Sequence, residues 1–308
     1  MISSYTVGIY PRSEELIDAT RQNSKNLPSL FLKEKKEYIA VQKKAKLGYV
    51  CDPLVDWDDI FRPFSKLKSV NLGALNRVYE TNTFYRRLSF DSQIEDAGNI
   101  VKSSLATSLL PKNKAACLAD PYTFADQHLS TKYKKFDEFV IAIAKMLRKE
   151  IDSLVKSGFG LIQLVAPSIA YNPKVDFGVA KEGLDIISRG LRAKTILHLY
   201  FGDVSKKIEK LLDLPVTGLG FDPTTTPISS LKKHSFSGKS LALGIINSYN
   251  TKLEDKEDCI KELNSILSKT RPKEAFVTTN FDLQYLPKEF AVRKILRLGE
   301  ITRGVKIA

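Results

Sequence analysis

Between residues 5 and 282 the chain switches period repeatedly: short apolar runs ending in a polar or turn-forming residue alternate with longer stretches of helical spacing. No other feature constrains the fold as much. The runs are YTVGIYP (5–11), LGYVCDP (47–53), RVYETN (77–82), AACLADP (115–121), GLIQLVAP (160–167), KTILHLYFG (194–202), PVTGLGFD (215–222), KSLALGIIN (239–247) and EAFVTTNFD (274–282). Several are apolar at consecutive positions, as strands covered on both faces are. Among the intervening segments, FDEFVIAIAKMLRKEIDSLVKS (136–157) sets Phe139, Ile143, Leu147, Ile151 and Leu154 along one stripe. DVSKKIEKLLDL (203–214) predicts a helix capped by Asp203, with Ile208, Leu211 and Leu212 inward. EDKEDCIKELNSILSK (254–269) begins acidic, which suits the positive end of a helix dipole.

Strand and helix in alternation over 308 residues imply a mostly parallel sheet. An open doubly wound sheet and a closed (β/α)8 barrel, the TIM-barrel form of the α/β class, both satisfy that pattern. The first strand-to-helix turn, GIYPRSEE, has no Gly-x-Gly-x-x-Gly, and the chain has no Walker phosphate loop. The barrel is therefore favoured. Nine runs compete for the eight places of such a barrel, so one belongs to an extra β-ribbon, and the sequence leaves open which. No Gly/Ser-rich or Pro-rich linker and no internal repeat divides the chain, so residues 1–308 read as a single domain.

Hydrophobic residues make up 43% of the chain, enough for a substantial core, yet no stretch approaches the length of a membrane span. The N-terminus MISSYTVGIYPRSEEL lacks a signal-peptide pattern, and a cytoplasmic location is expected. Cys51, Cys117 and Cys259 are odd in number and widely spaced, which fits reduced thiols better than a disulfide framework. The net charge of +13 favours a polyanionic partner, or simply well-solvated lysine-rich helices.

In a (β/α)8 barrel, side chains at the C-terminal ends of the strands form the site. Those positions are Tyr10 and Arg12, Asp52, Thr81 and Asn82, Asp120, Ala166 and Pro167, His198 and Tyr200, Asp222, Asn247, and Asn280 with Asp282. Asp52, Asp120, Asp222 and Asp282 could serve proton transfer, but each residue is equally suited to ending a strand or capping a helix. His198 could be a metal ligand, a general base, or a histidine closing a strand. A catalytic zinc would need at least two further ligands, and the next residue on its face, position 200, is tyrosine.

Several stretches together resemble the cobalamin-independent methionine synthases, and more narrowly their N-terminal barrel. They are YFGDVSKKIEKLLDLPVTGLGFD (200–222), LALGIINSYN (241–250) and VTTNFDLQYLPKEF (277–290), preceded by VGIYPRSEEL (7–16), YETNTFY (79–85), ADPYTF (119–124) and LIQLVAP (161–167). The resemblance implies a role in methyl transfer from a methyl-tetrahydrofolate-like donor with a polyglutamate tail to homocysteine. In that family the zinc sits in a second, C-terminal-type barrel. It is held there by a His-x-Cys pair, a glutamate and a late cysteine.

Against the zinc-bearing pattern, His198-Leu199-Tyr200 has tyrosine in place of the thiolate, no cysteine occurs around Asn280–Tyr285, and Val165-Ala166-Pro167 stands where Asp-Glu-Pro is common. The resemblance thus implies a chain with no metal and no tightly bound cofactor of its own. A separate zinc-bearing barrel would be its partner and an anionic pterin or folate its ligand. His198 then lines a pocket or fills a barrel layer. Arg77 takes the place of a tail-binding lysine before Thr81-Asn82, and Arg12, Arg77 and Asn82 are the expected contacts to the acidic tail. Asp120, His198, Tyr200, Asp222 and Asn247 are expected to shape the pocket. After PR the family has a basic cluster, whereas Ser13, Glu14 and Glu15 stand here. Two rival readings are an autonomous methyltransferase with unfamiliar ligands and a basic nucleic-acid-binding protein. The second rests on YRRLSF and KYKKF, which form no recognised nucleic-acid motif.

Overall fold

The structure, a computed structural model, describes residues 2–94 and 97–306. Among them eleven strands form: β1 (Ile2–Tyr5), β2 (Val50–Cys51), β3 (Val70–Arg77), β4 (Phe84–Phe90), β5 (Lys114–Ala119), β6 (Leu129–Ser130), β7 (Phe159–Val165), β8 (Lys194–Leu199), β9 (Gly218–Phe221), β10 (Ser240–Ile246) and β11 (Glu274–Thr279). Eight of them make one sheet in the order β1-β11-β10-β9-β8-β7-β5-β2, and every pairing in it is parallel. Its two edges meet where Tyr49 N donates to Ser4 O at 3.0 Å, so the sheet curls into the expected (β/α)8 barrel.

The run left over is residues 77–82. Arg77 ends β3, and Val78 to Asn82 form the turn into β4, with Tyr79 in the left-handed region at φ 49°. The extra ribbon is the antiparallel pair β3–β4, extended by β6. β1 lies earlier than the run 5–11, because Gly8, at φ +64°, breaks the extended chain and lets the carboxylate of Asp282 come where a Cβ would stand.

The helix Phe136–Lys156 buries the stripe Phe139, Ile143, Leu147, Ile151 and Leu154. Asp120, Asp176 and Asp255 cap helices by accepting from backbone N–H groups of their first turns. Asp203 does not cap its helix as the sequence suggested. It accepts from Ser205, and the helix is shortened to Ile208–Leu212. Just before that helix, the Lys207 ammonium donates to the carbonyls of Ile169, Ala170 and Asn172, and Val204 N donates to Thr226 Oγ1.

Inside the barrel the core is mostly aliphatic, crossed by one polar layer. The Tyr5 hydroxyl pairs with His198 Nε2 at 3.0 Å, and Gln163 Nε2 donates to Thr6 O at 3.0 Å. A Cβ on Gly220 would stand 2.5 Å from His198 Nδ1, so the absence of a side chain there makes room for the imidazole. The histidine is 3% exposed, and burial holds its pKa down to about 3, so the ring is neutral.

Candidate binding site at the barrel mouth

At the C-terminal ends of the strands the chain presents rings more than charges. Tyr200 and Phe201, just beyond β8, and Phe281, just beyond β11, pack with all three centroid separations at 4.7 Å. Phe201 adopts φ 69°, unfavourable for a bulky residue, and the following Gly202 is required because a Cβ there would press on Ala170 O at 2.6 Å. The strained turn aims the Phe201 ring across the mouth. Tyr249 and Tyr285 flank Phe281 nearly parallel to it, at 6.0 and 6.5 Å, and both are about half exposed. The turn of the β3–β4 ribbon roofs the other side. Its Tyr79 stacks on Tyr171 at 4.1 Å and donates its hydroxyl to Asp126 at 2.9 Å. Between roof and rings lies a cavity of about 40 Å³, bordered by Val78, Phe84, Pro167, Tyr200, Phe281 and Asp282. A wider groove of about 1200 Å³ continues outward past Arg12, Trp57, Tyr285, Lys288 and Arg293.

Each acidic group at the strand ends is engaged. Asp282 accepts from Ile9 N at 3.2 Å and from Gln284 Nε2 at 3.0 Å, and burial pushes its pKa up to about 7. Asp120 accepts from Tyr122 N and Thr123 N at the start of its helix, yet burial outweighs these bonds and raises it to about 7 as well. Asp222 accepts from Thr224 N, Asn280 Nδ2 and Tyr249 Oη, with its pKa also raised by burial. Asp52 pairs with Lys35 at 3.3 Å and accepts from Ala106 N, which makes it a structural tie between the second strand end and the loop below it.

The other expected residues divide. Tyr200 is in the mouth. His198 is two residues before Tyr200, deeper than the rings, in the barrel layer. Asn247 bends the loop after β10, accepting from Tyr249 N at 2.8 Å, and so places the Tyr249 ring. Arg12 lines the outer groove, but its guanidinium is held by Val55 O, Trp57 O and Asp58. Arg77 is exposed, makes no ion pair among the described residues, and lies 5.6 Å over Phe84, which itself borders the cavity. Asn82 is exposed in the ribbon turn. The sequence reading missed Phe84, Phe281 and Gln284 as mouth residues. For Phe281 a signal existed, since it stands between the strand-end residues Asn280 and Asp282; for Phe84 there was none, because nothing in the sequence folds the ribbon over the barrel.

Residues 69–271 match the family described as cobalamin-independent synthase, N-terminal domain, which is more than half of the chain. The chain belongs to that family. Relatives of this synthase-type barrel include the methionine synthase of Saccharolobus solfataricus, 24% identical over 323 aligned positions, covering 99% of this chain and 95% of the relative. The methionine synthase of Sulfolobus acidocaldarius is 23% identical, with 99% and 93% covered. Two solved structures share the fold. The B12-independent methionine synthase from Shewanella sp. W3-18-1, in complex with selenomethionine, superposes with a TM-score of 0.78 at 17% identity, over 98% of this chain and 96% of that one. The putative vitamin-B12-independent methionine synthase of Listeria monocytogenes gives 0.71 at 15% identity, over 97% and 98%.

The synthase family implies zinc, and this donor set does not fit it. Among the described residues no group of three or more His, Cys, Asp or Glu side chains could hold a metal ion. His198 Nε2 is bonded to Tyr5, position 200 offers a phenol with a pKa raised far above its usual value by burial, and Cys51 and Cys117 are thiols whose pKa burial also raises.

Proposed function

We propose that this barrel acts in methionine biosynthesis as a binding and supporting partner for a separate zinc-bearing barrel of the same family. In this reading the methyl donor is a methyl-tetrahydrofolate-like compound with a polyglutamate tail, the acceptor is homocysteine, and the setting is the cytoplasm. The observation that carries the reading is the chemistry of the mouth. Its acids are engaged as helix caps, in an ion pair or in hydrogen bonds, with burial raising their pKa values, its histidine is buried inside the barrel, and its walls are aromatic. Methylating a thiol requires a thiolate, which a metal supplies by lowering the thiol's pKa. Nothing at this mouth is suited to that step, whereas the exposed rings and the wide outer groove beside them are suited to receiving an apolar or flat group. The chain's own contribution is thus to bind, orient and exclude water.

Arg77 is assigned to the donor's acidic tail. It has no ion-pair partner among the described residues, it stands beside Phe84 at the mouth, and guanidinium and carboxylate can pair bidentately. Arg12, by contrast, is committed to Asp58 and two carbonyls and contributes by shaping the groove. A carboxylate contact of this kind contributes about 1.5–3 kcal/mol, or roughly a 10- to 150-fold change in affinity. Calorimetric titration of the donor into the two-barrel complex tests it. Arg77→Ala should weaken a triglutamate form more than a monoglutamate form, and equal weakening of both, or none, would remove Arg77 from the tail site.

A second reading, an autonomous methyltransferase, is favoured by one finding: curated relatives covered almost end to end by this chain bear the name methionine synthase. The two readings part on whether the isolated chain turns over.

A further inference from the structure

β3 is the outer edge of the ribbon sheet, which runs β3-β4-β6. Asn71 to Leu75 are all exposed, with Leu72 at 59% and Leu75 at 60%. Edge strands are normally protected by Lys, Pro, inward charges or a β-bulge, and of these β3 has only an irregularity between Leu72 and Leu75. This strand, VNLGALNR, has a single charge, Arg77 at its very end, in a chain that is 27% charged. Its centre reads the same in both directions: Asn71-Leu72, two small residues, Leu75-Asn76. The pairing with β4 slips between the leucines, so that Leu72 faces Leu88 and Leu75 faces Arg86. Those partners are two residues apart on β4, which puts both leucines on one face of the ribbon.

We propose that β3 pairs antiparallel with β3 of a second copy of this chain, about a two-fold axis at Gly73-Ala74. Leu72 then meets Leu75 of the other copy, and Asn71 meets Asn76. The palindromic order argues for a second copy over an unlike partner, since a two-fold contact needs one patch complementary to itself. In this register Arg77 comes to lie opposite Val70, while Arg86, whose guanidinium donates to Gly73 O at 3.3 Å, brings one positive charge of each copy near the axis. Gly73 and Ala74 leave the axis free of bulk. A contact of one strand's length is smaller than a standard interface, so the association is weak and concentration-dependent. The net charge of +13 on each copy opposes it, and screening by salt therefore strengthens it.

Sedimentation velocity over a concentration series, at low and moderate salt, tests the contact in the full chain. The wild type should shift from 34.6 kDa towards twice that mass, more readily at moderate salt. Leu72→Lys with Leu75→Lys should weaken the dimer roughly tenfold or more. Both leucines are exposed, so the variant should keep its circular dichroism spectrum. The paired variant Asn71→Cys with Asn76→Cys should form an intermolecular disulfide. A wild type that stays monomeric, or a lysine variant that dimerises as the wild type does, would overturn the proposal. So would a wild type that does not self-associate but loses binding to a zinc-bearing barrel in the lysine variant, which would give the ribbon to an unlike partner.

Discussion

Replacing Phe124 with alanine should cost about 3–5 kcal/mol of stability, the range for truncating a fully buried Phe. Phe124 sits on the helix Pro121–Gln127 and is completely buried. Its ring lies 5.0 Å from Phe61, 5.0 Å from Phe64, 4.8 Å from His128 and 6.0 Å from Phe90 of β4. It therefore stands at the joint between barrel and ribbon. The surrounding rings come from three separate segments, Phe61 with Phe64, Phe90, and His128, and cannot close over the hole together. Urea unfolding measures the loss, and limited proteolysis should show earlier cleavage within residues 70–90 as the ribbon loosens. A loss below about 1 kcal/mol would mean that the ribbon is held by something other than this aromatic joint.

Asp282→Asn should change the pH dependence of stability by a comparable amount. The Asp282 carboxyl has a pKa of about 7 in the folded chain, against about 3.9 for an unfolded Asp. Between pH 4 and pH 7 the folded chain therefore holds a proton that the unfolded chain releases. Stability contributed by this group is present at low pH and falls as pH rises through that window, on the order of 4 kcal/mol in all. Asn keeps an acceptor for Ile9 N and removes the titration. Asp120, Asp222, Asp52 and Asp59 are also raised by burial, so only the difference between variant and wild type isolates Asp282. Urea midpoints at pH 5 and pH 8 should drop more in the wild type than in the variant. Parallel pH profiles would show that Asp282 is ionised in the fold like an ordinary surface carboxylate.

The barrel was legible because its strands are covered on both faces and read as apolar runs, and because its helices have a single stripe. The ribbon was not. β3 is exposed along most of its length, so no burial imposes a period on VNLGALNR, and the more strand-like run RVYETN turns out to hold a tight turn with Tyr79 at positive φ. Several strand ends expected at the mouth do lie there, such as Tyr200 and Asp282, whereas His198 lies deeper in the barrel layer and Asn82 belongs to the ribbon turn. Position alone does not tell that Asp120 caps a helix, that Asp52 pairs with Lys35, or that Arg12 is tied to Asp58. Nor does it reveal that Phe84 is carried to the mouth from a ribbon remote in sequence.

The central claim is that this barrel supports methyl transfer without performing it. Methionine formation from homocysteine and a triglutamate methyl-folate should be assayed with the purified chain, with a zinc-bearing barrel that carries His-x-Cys and a late cysteine, and with both together. The account predicts no turnover by this chain alone and a higher rate or lower donor KM for the zinc-bearing barrel when this chain is added. Turnover by the isolated chain would contradict it.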